Sequence, residues 1–312
     1  MTARPILLDC DPGQDDALAI FLALASPAEL DVVAITTVGG NVKLRHTEVN
    51  ARKLCTLAGR ADIPVHAGCP GPILKPLVTA EHIHGPTGLE GADLPEPAQA
   101  LQAQHAVDRI VDEVMARPSG ELTLVATGPL TNLALAMVKA PEIAPRLREI
   151  VLMGGGRLEG NVTPAAEFNI WVDPHAAAVV FNSGVPIVMF GLDVTHKALV
   201  TPERLAAIAA LGTPVAKAAA GLLDFFNRFD SDRYGTPGAP LHDPCTIAYL
   251  LDPGLFGGRH CHVAIETAGQ ETLGTTVIDW WNALGREPNA LVMVDIDADR
   301  FFDLLTGRIA RL

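Results

Sequence analysis

Short runs of apolar, often β-branched residues recur along the chain: PILLDCD (5–11), LDVVAITTV (30–38), LTLVAT (122–127), EIVLMGG (149–155), VPIVMFGLDV (185–194), HVAIE (262–266) and LVMVDID (291–297). Unbroken apolar runs of this length suit strands buried on both faces, as in a parallel sheet. Between them lie stretches with helical spacing, among them DDALAIFLALA (15–25), AVDRIVDEVMA (106–116) and LTNLALAMVKA (130–140). The alternation predicts an α/β domain with a Rossmann-like core, its mostly parallel central sheet flanked by helices. No linker of biased composition, repeat or composition break divides the chain, so residues 1–312 are expected to form a single domain. In such sheets ligands bind beyond the carboxyl ends of the strands, which points to Asp11, Asn41, Thr127, Gly154 to Gly156 and Asp193.

Composition narrows the partners. With 312 residues, 49% hydrophobic and 19% charged, the chain can bury a large core. Its formal net charge of -13, with no local Lys/Arg cluster, argues against nucleic-acid polymers. No stretch reaches the roughly 18 apolar residues of a membrane span, and MTARPILLDC lacks the pattern of a signal peptide, so a cytoplasmic protein with no membrane association is expected. Cys10, Cys55, Cys69, Cys245 and Cys261 are scattered and form no C-x-x-C pair; buried free thiols are the expectation. Neither G-x-G-x-x-G nor a P-loop pattern occurs, so VLMGGG is expected to serve close backbone approach and not a nucleotide cofactor.

The chemistry is densest at the start. ILLDCDPGQDDALAI places Asp9, Asp11, Asp15 and Asp16 within eight positions, between a strand and a helix. Carboxylates so close repel one another and raise each other's pKa unless a cation or hydrogen bonds compensate. Asp9 and Asp11 share one face of the strand, Pro12 and Gly13 make the turn, and Asp15 and Asp16 open the helix. Helix capping accounts for one acid and leaves the others unexplained. An all-oxygen donor set suits a hard cation, Ca²⁺ or Mg²⁺, and the spacing does not separate the two.

DCDPGQDDALAI, TTVGGN, TGPLTN, VLMGGG, EGNVTPAAEFNIWVDPHAA and LHDPC, in this order over nearly the whole chain, resemble the nucleoside hydrolases, the inosine-uridine-preferring N-ribohydrolases. The resemblance implies a nucleoside-hydrolase-like α/β fold, a bound Ca²⁺, and hydrolysis of the N-glycosidic bond of purine and/or pyrimidine ribonucleosides to ribose and free base. It assigns Asp11, Asp16, Asp243 and the carbonyl of Thr127 to the metal, and gives Asp11 the further role of general base. Asp15 falls to the 2'-hydroxyl, Asn169 to the 3'-hydroxyl, Asn161 with Glu167 to the 5'-hydroxyl, and Asn41 and Phe168 to the same pocket. His84 and His242 match the base-site histidines, with His242 expected to protonate the leaving base, whereas His82 falls outside the pattern. Trp171, Trp280 and Trp281 do not match the base-stacking tryptophans of the purine-restricted branch. A small ribonucleoside as partner and a homo-oligomer, dimeric or tetrameric, follow by the same analogy.

Taken alone, some of these residues have plainer readings: Asp243 before Pro244 as a helix cap, Asn41 and Asn161 as turn residues beside Gly40 and Gly160. FDSDRYGTPGAPL (229–241) is expected to be a mobile loop that closes over the site, bringing Arg233 and Tyr234 toward substrate. Two rival functions stand beside the main one. A Mg²⁺ phosphohydrolase would need basic residues near these motifs, and they are scarce; a nucleoside-binding protein without turnover would keep the same pocket.

Overall fold

The computed structural model describes residues 3–312, with residues 229–234 described by their backbone alone. The chain runs β1 (Arg4–Cys10), α1 (Gln14–Leu24), β2 (Leu30–Thr37), α2 (Leu44–Leu57), β3 (Val65–Ala67), α3 (Glu81–His84), α4 (Ala106–Met115), β4 (Thr123–Ala126) and α5 (Thr131–Lys139). It continues through β5 (Glu149–Met153), α6 (Phe168–Val172), α7 (Pro174–Phe181), β6 (Ile187–Phe190), α8 (Leu192–Thr195), α9 (Pro202–Ala209) and α10 (Pro214–Tyr234). The last third comprises α11 (Pro244–Leu251), β7 (Phe256–Ile265), β8 (Thr276–Asp279), β9 (Ala290–Ile296) and α12 (Ala298–Ile309).

One sheet carries all nine described strands in the order β3-β2-β1-β4-β5-β6-β9-β7-β8. Pairing is parallel from β3 through β9 and antiparallel at β9-β7 and β7-β8. The α/β reading therefore holds, and HVAIE is the end of a longer antiparallel strand. The period of two distributes β1 between two cores: Ile6, Leu8 and Cys10 join the layer containing residues of α1, α10, α11 and α12, while Leu7 joins that of α4, α5 and α7. Each such fully buried aliphatic side chain contributes about 1.5–3 kcal/mol.

Two consequences position the site. From β1 the sheet grows one way to β2 and β3 and the other way to β4, β5 and β6, so a topological switch lies between β1 and β4. Asp11 follows β1 and Thr127 follows β4, at that crevice. Second, every residue of α1 is buried, as the all-round apolar run from Ala17 to Leu24 requires. A helix with no solvent face carries its first-turn aspartates into the interior.

The loop expected at 229–241 is corrected in part. The backbone of 229–234 continues α10, because the helical run from Pro214 passes through Gly221 and ends only at Gly235, where φ is +63°. Residues 235–241 then lead inward to Leu241, fully buried, and Pro240 bridges Leu199. The side chains of Arg233 and Tyr234, expected to approach substrate, lie outside the described residues.

Candidate active site

At the switch point four carboxylates converge, all at most 5% exposed: Asp11, Asp15, Asp16 and Asp243. Asp15, Asp16 and Asp243 each offer an oxygen within 4.8 Å of the others'. Asp11 sits beside them with Oδ2 accepting the Asn41 N–H at 2.6 Å, while Oδ1, fully buried, has no hydrogen-bond partner among the described residues. Two glycines make room for it. A Cβ at Gly40 would fall 2.0 Å from Asp11 Oδ2 and one at Gly128 2.6 Å from Oδ1, which explains the glycines of TTVGGN and TGPLTN as space around one carboxylate. Asp16 is the best anchored: Oδ2 accepts from the Gly13 N–H at 3.0 Å and Asn41 Nδ2 at 3.3 Å, and Oδ1 accepts from Thr127 Oγ1 at 2.7 Å.

Asp243 settles an ambiguity of the sequence. It occupies the N-cap position of α11, followed by Pro244, yet its side chain accepts no capping hydrogen bond. Instead it hydrogen-bonds Asp16. Desolvation raises the pKa of all three residues, Asp16 to about 6 and Asp11 and Asp243 well above the carboxylate range, with neighbouring aspartates adding to the rise at the last two. The metal-free cluster must therefore keep protons that an ordinary aspartate would lose, a cost that a divalent cation removes. Oxygen-only donors, an orphaned Asp11 Oδ1 and an aspartate diverted from its own helix fit such an ion.

Along the cavity floor, Glu167 caps α6: Oε1 accepts from the Asn169 N–H at 3.0 Å, and Oε2 from the N–H groups of Gly155 at 2.8 Å and Ile170 at 3.3 Å. Burial nevertheless pushes its carboxyl up to about 7. Asn169 spends both amide hydrogens, on Thr127 O at 2.9 Å and Met153 O at 3.1 Å, which leaves Oδ1 to accept from a ligand. Asn161 Oδ1 accepts the Phe168 N–H at 2.8 Å and holds that segment in place.

Two buried histidines also line the cavity. His84, on α3, places Nδ1 2.7 Å from Gln14 Oε1 and stacks on Phe226 of α10, ring centroids 5.7 Å apart and 24° between planes. His242 Nδ1 lies 2.8 Å from Thr195 Oγ1, whose hydroxyl is directed to the Gly191 carbonyl at 3.3 Å, so the hydroxyl accepts and Nδ1 carries the hydrogen. Burial, with neighbouring imidazoles, holds His242 well below its usual pKa. In this state the ring is neutral and offers a lone pair at Nε2.

These groups enclose one cavity of about 260 Å³, lined by Asp15, Asn41, His84, Thr127, Asn161, Glu167, Phe168, Asn169, His242 and Asp243. Asp11 and Asp16 lie beneath that lining, against Asn41 and Thr127. The residues assigned by the resemblance thus meet at one place, whereas Asp193, pointed to by its strand-end position, pairs with Arg157, and Asp9 accepts from Thr36 and Asn132, both away from the lining. Sequence reasoning missed Phe226, which no local motif marks within the apolar face of α10. His82 and Trp171, set outside the pattern, also line the cavity, and Trp171 is pinned by Lys75, whose Nζ lies 3.3 Å from its ring centre and 2.8 Å from its carbonyl oxygen. Among the described lining residues there is no Lys or Arg to hold a phosphate, which weighs against the phosphohydrolase.

The family model for inosine-uridine preferring nucleoside hydrolase matches residues 6–303. The pyrimidine-specific ribonucleoside hydrolase RihA of Photobacterium profundum is 49% identical, covering 99% of this chain and 99% of that protein. The RihA of an Escherichia coli strain is 50% identical over 98% of each. Among solved structures, a purine-preferring ribonucleoside hydrolase from Gardnerella vaginalis matches with a TM-score of 0.92 at 34% identity, over 98% of both chains. A plant nucleoside hydrolase, PpNRh1, matches with a TM-score of 0.91 at 34% identity, over 98% of this chain and 99% of that one.

Proposed function

The chain belongs to the inosine-uridine preferring nucleoside hydrolase family, a family of N-ribohydrolases, and on that premise we propose that it hydrolyses pyrimidine ribonucleosides to ribose and free base with Ca²⁺ in its acidic cluster. The pyrimidine preference rests on the name of the relatives at about 50% identity, and narrows the purine-or-pyrimidine range expected from sequence. One observation carries the reading: a single cavity is lined both by buried carboxylates and by buried imidazoles. Calcium suits the cluster better than magnesium because several rigid carboxylates, the Thr127 carbonyl and sugar hydroxyls together offer more oxygens than a compact octahedron takes.

Cleavage of the N-glycosidic bond builds positive charge on the anomeric carbon and ring oxygen. The carboxylates are suited to bear that charge. A bound cation would supply Lewis-acid polarisation of a water molecule and offset the repulsion among Asp11, Asp15, Asp16 and Asp243. Asp11 takes the proton of the attacking water at Oδ1, the oxygen with no hydrogen-bond partner among the described residues. Asp15 and Asn169 Oδ1 hold the 2'- and 3'-hydroxyls, and Glu167 with Asn161 the 5'-hydroxyl. His242, neutral at rest with its hydrogen on Nδ1, first takes up a proton at Nε2, the nitrogen left open by Thr195, and then passes it to the leaving base. Phe168 walls the pocket. A homo-oligomer acting in the cytoplasm completes the reading; no described helix is long and apolar enough to cross a membrane.

Reducing-sugar release from uridine, cytidine, inosine and 2'-deoxyuridine, each with added Ca²⁺ and with a strong chelator, tests the function. We expect ribose from the two pyrimidine ribosides, much less from inosine and the deoxyriboside, and none after chelation. Tight uridine binding without ribose release would instead make the protein a nucleoside-binding protein.

A further inference from the structure

Gln14 is fully buried in the first turn of α1, and none of the chemistry above uses it. Its Nε2 donates to two carbonyl oxygens, His84 O at 3.0 Å and Glu90 O at 3.3 Å. Carbonyls only accept, so the amide has one workable orientation, and Oε1 is the atom that faces His84 Nδ1 at 2.7 Å. An amide oxygen also only accepts. The hydrogen of a neutral His84 must therefore reside on Nδ1, which leaves Nε2 a lone pair.

The surroundings keep the ring neutral and in place. It is desolvated and stacked on Phe226, and burial pulls its pKa down to about 3. A Cβ at Gly13 would lie 2.6 Å from His84 Nδ1, so the imidazole rests directly on the Gly13–Gln14 turn. Among the described residues Nε2 has no hydrogen-bond partner, and His84 lines the cavity.

We propose that Gln14 is a positioning residue for base selection: it fixes the hydrogen of His84 on Nδ1, so that Nε2 meets the base as an acceptor. The site then selects pyrimidines that bring an N–H to that point, the N3–H of uracil or the 4-amino group of cytosine. A base without the donor loses a hydrogen bond and leaves a buried lone pair unpaired, and both effects count against it. This inference rests on the nucleoside reading of the cavity.

The test compares hydrolysis of uridine and N3-methyluridine by the full-length wild type and by Gln14→Met, alongside ¹⁵N NMR of the imidazole tautomers in both unliganded proteins, with His84→Asn to assign the signal. We expect the wild type to favour uridine about tenfold or more in kcat/KM and Gln14→Met to bring the ratio within about threefold, the scale of one hydrogen bond. The preference for uridine over 2'-deoxyuridine should not move. His84 should show Nδ1–H in the wild type and a mixture of tautomers in the variant. Equal base ratios in the two proteins, or an Nε2–H His84 in the wild type, would overturn the proposal. If the wild type released no ribose from uridine, the functional reading would fail while the tautomers still judged Gln14. If Gln14→Met did not fold, the wild-type ratio and tautomer would decide.

Discussion

The carboxylates and the imidazoles that line the cavity are held by different means. Around the carboxylates, Asp11 and Thr127 directly follow strands, and Asp15 and Asp16 open a helix buried on every side, so rigid core elements hold the charges. Around the imidazoles, His84 comes from a four-residue helix, Phe226 from the face of a long one, and His242 from the turn leading into α11. The first group concentrates charge that the fold alone does not neutralise; the second holds polar rings whose tautomers are set by a buried amide and a buried hydroxyl. Electrostatic stabilisation of the transition state should therefore come chiefly from the first, and selection among bases from the second.

The largest effect should follow removal of the cation. Stripping divalent ions is expected to abolish turnover and lower the thermal midpoint, with Ca²⁺ restoring both; full activity in the chelated protein would break the division of labour. Next, Asp11→Asn should lower kcat by about 10³ and His242→Gln by about 10², within the range of lost proton-transfer catalysis. Steady-state rates on uridine check the order, and a reversed order would place the chemical burden on the imidazoles. A smaller change, about tenfold in kcat, is expected for Thr195→Val, which frees the His242 tautomer. Thr195→Ser, which keeps the hydroxyl, should recover most of it.

The smallest effect is on stability, and its sign follows from burial. Asp16, near 6, and Asp9 and Glu167, near 7, all titrate above their unfolded values in the metal-free protein. Groups raised in the folded state contribute stability that is complete below the unfolded values near pH 4 and is lost as pH rises through about 6 to 7. The chelated protein should thus show a higher urea midpoint at pH 5 than at pH 7.5. Added Ca²⁺ should raise the midpoint more at pH 7.5, where the carboxylates it binds are ionised. A metal-free protein most stable at pH 7.5 would mean the cluster is compensated by the fold after all.

Not every feature was equally legible along the chain. The central strands stood out because strands buried on both faces need unbroken apolar runs, whereas β3 has only three residues and β8, at the sheet edge, buries only one of its four. HVAIE was legible as a strand, but its antiparallel direction was not, since direction depends on the partner. Residues 229–234 looked like loop because Gly and Pro cluster just after them, although the helix from Pro214 ends only at the glycine. His82 and Trp171 fall outside the motifs yet line the cavity, because lining a cavity is a property of chain paths, not of motifs.

By itself, the sequence determined the fold class, the place of the aspartate cluster at a strand end and the oxygen character of its donors, because periodicity and charge spacing are local and act over a few residues. Only the tertiary structure decided that Asp243 turns from its own helix toward Asp16, that Phe226 packs on His84, and that Gln14 and Thr195 set the hydrogens of two imidazoles. Those contacts join residues 47 to 70 apart or more, and hydrogen-bond polarity at a buried ring depends on which distant partner the packing delivers.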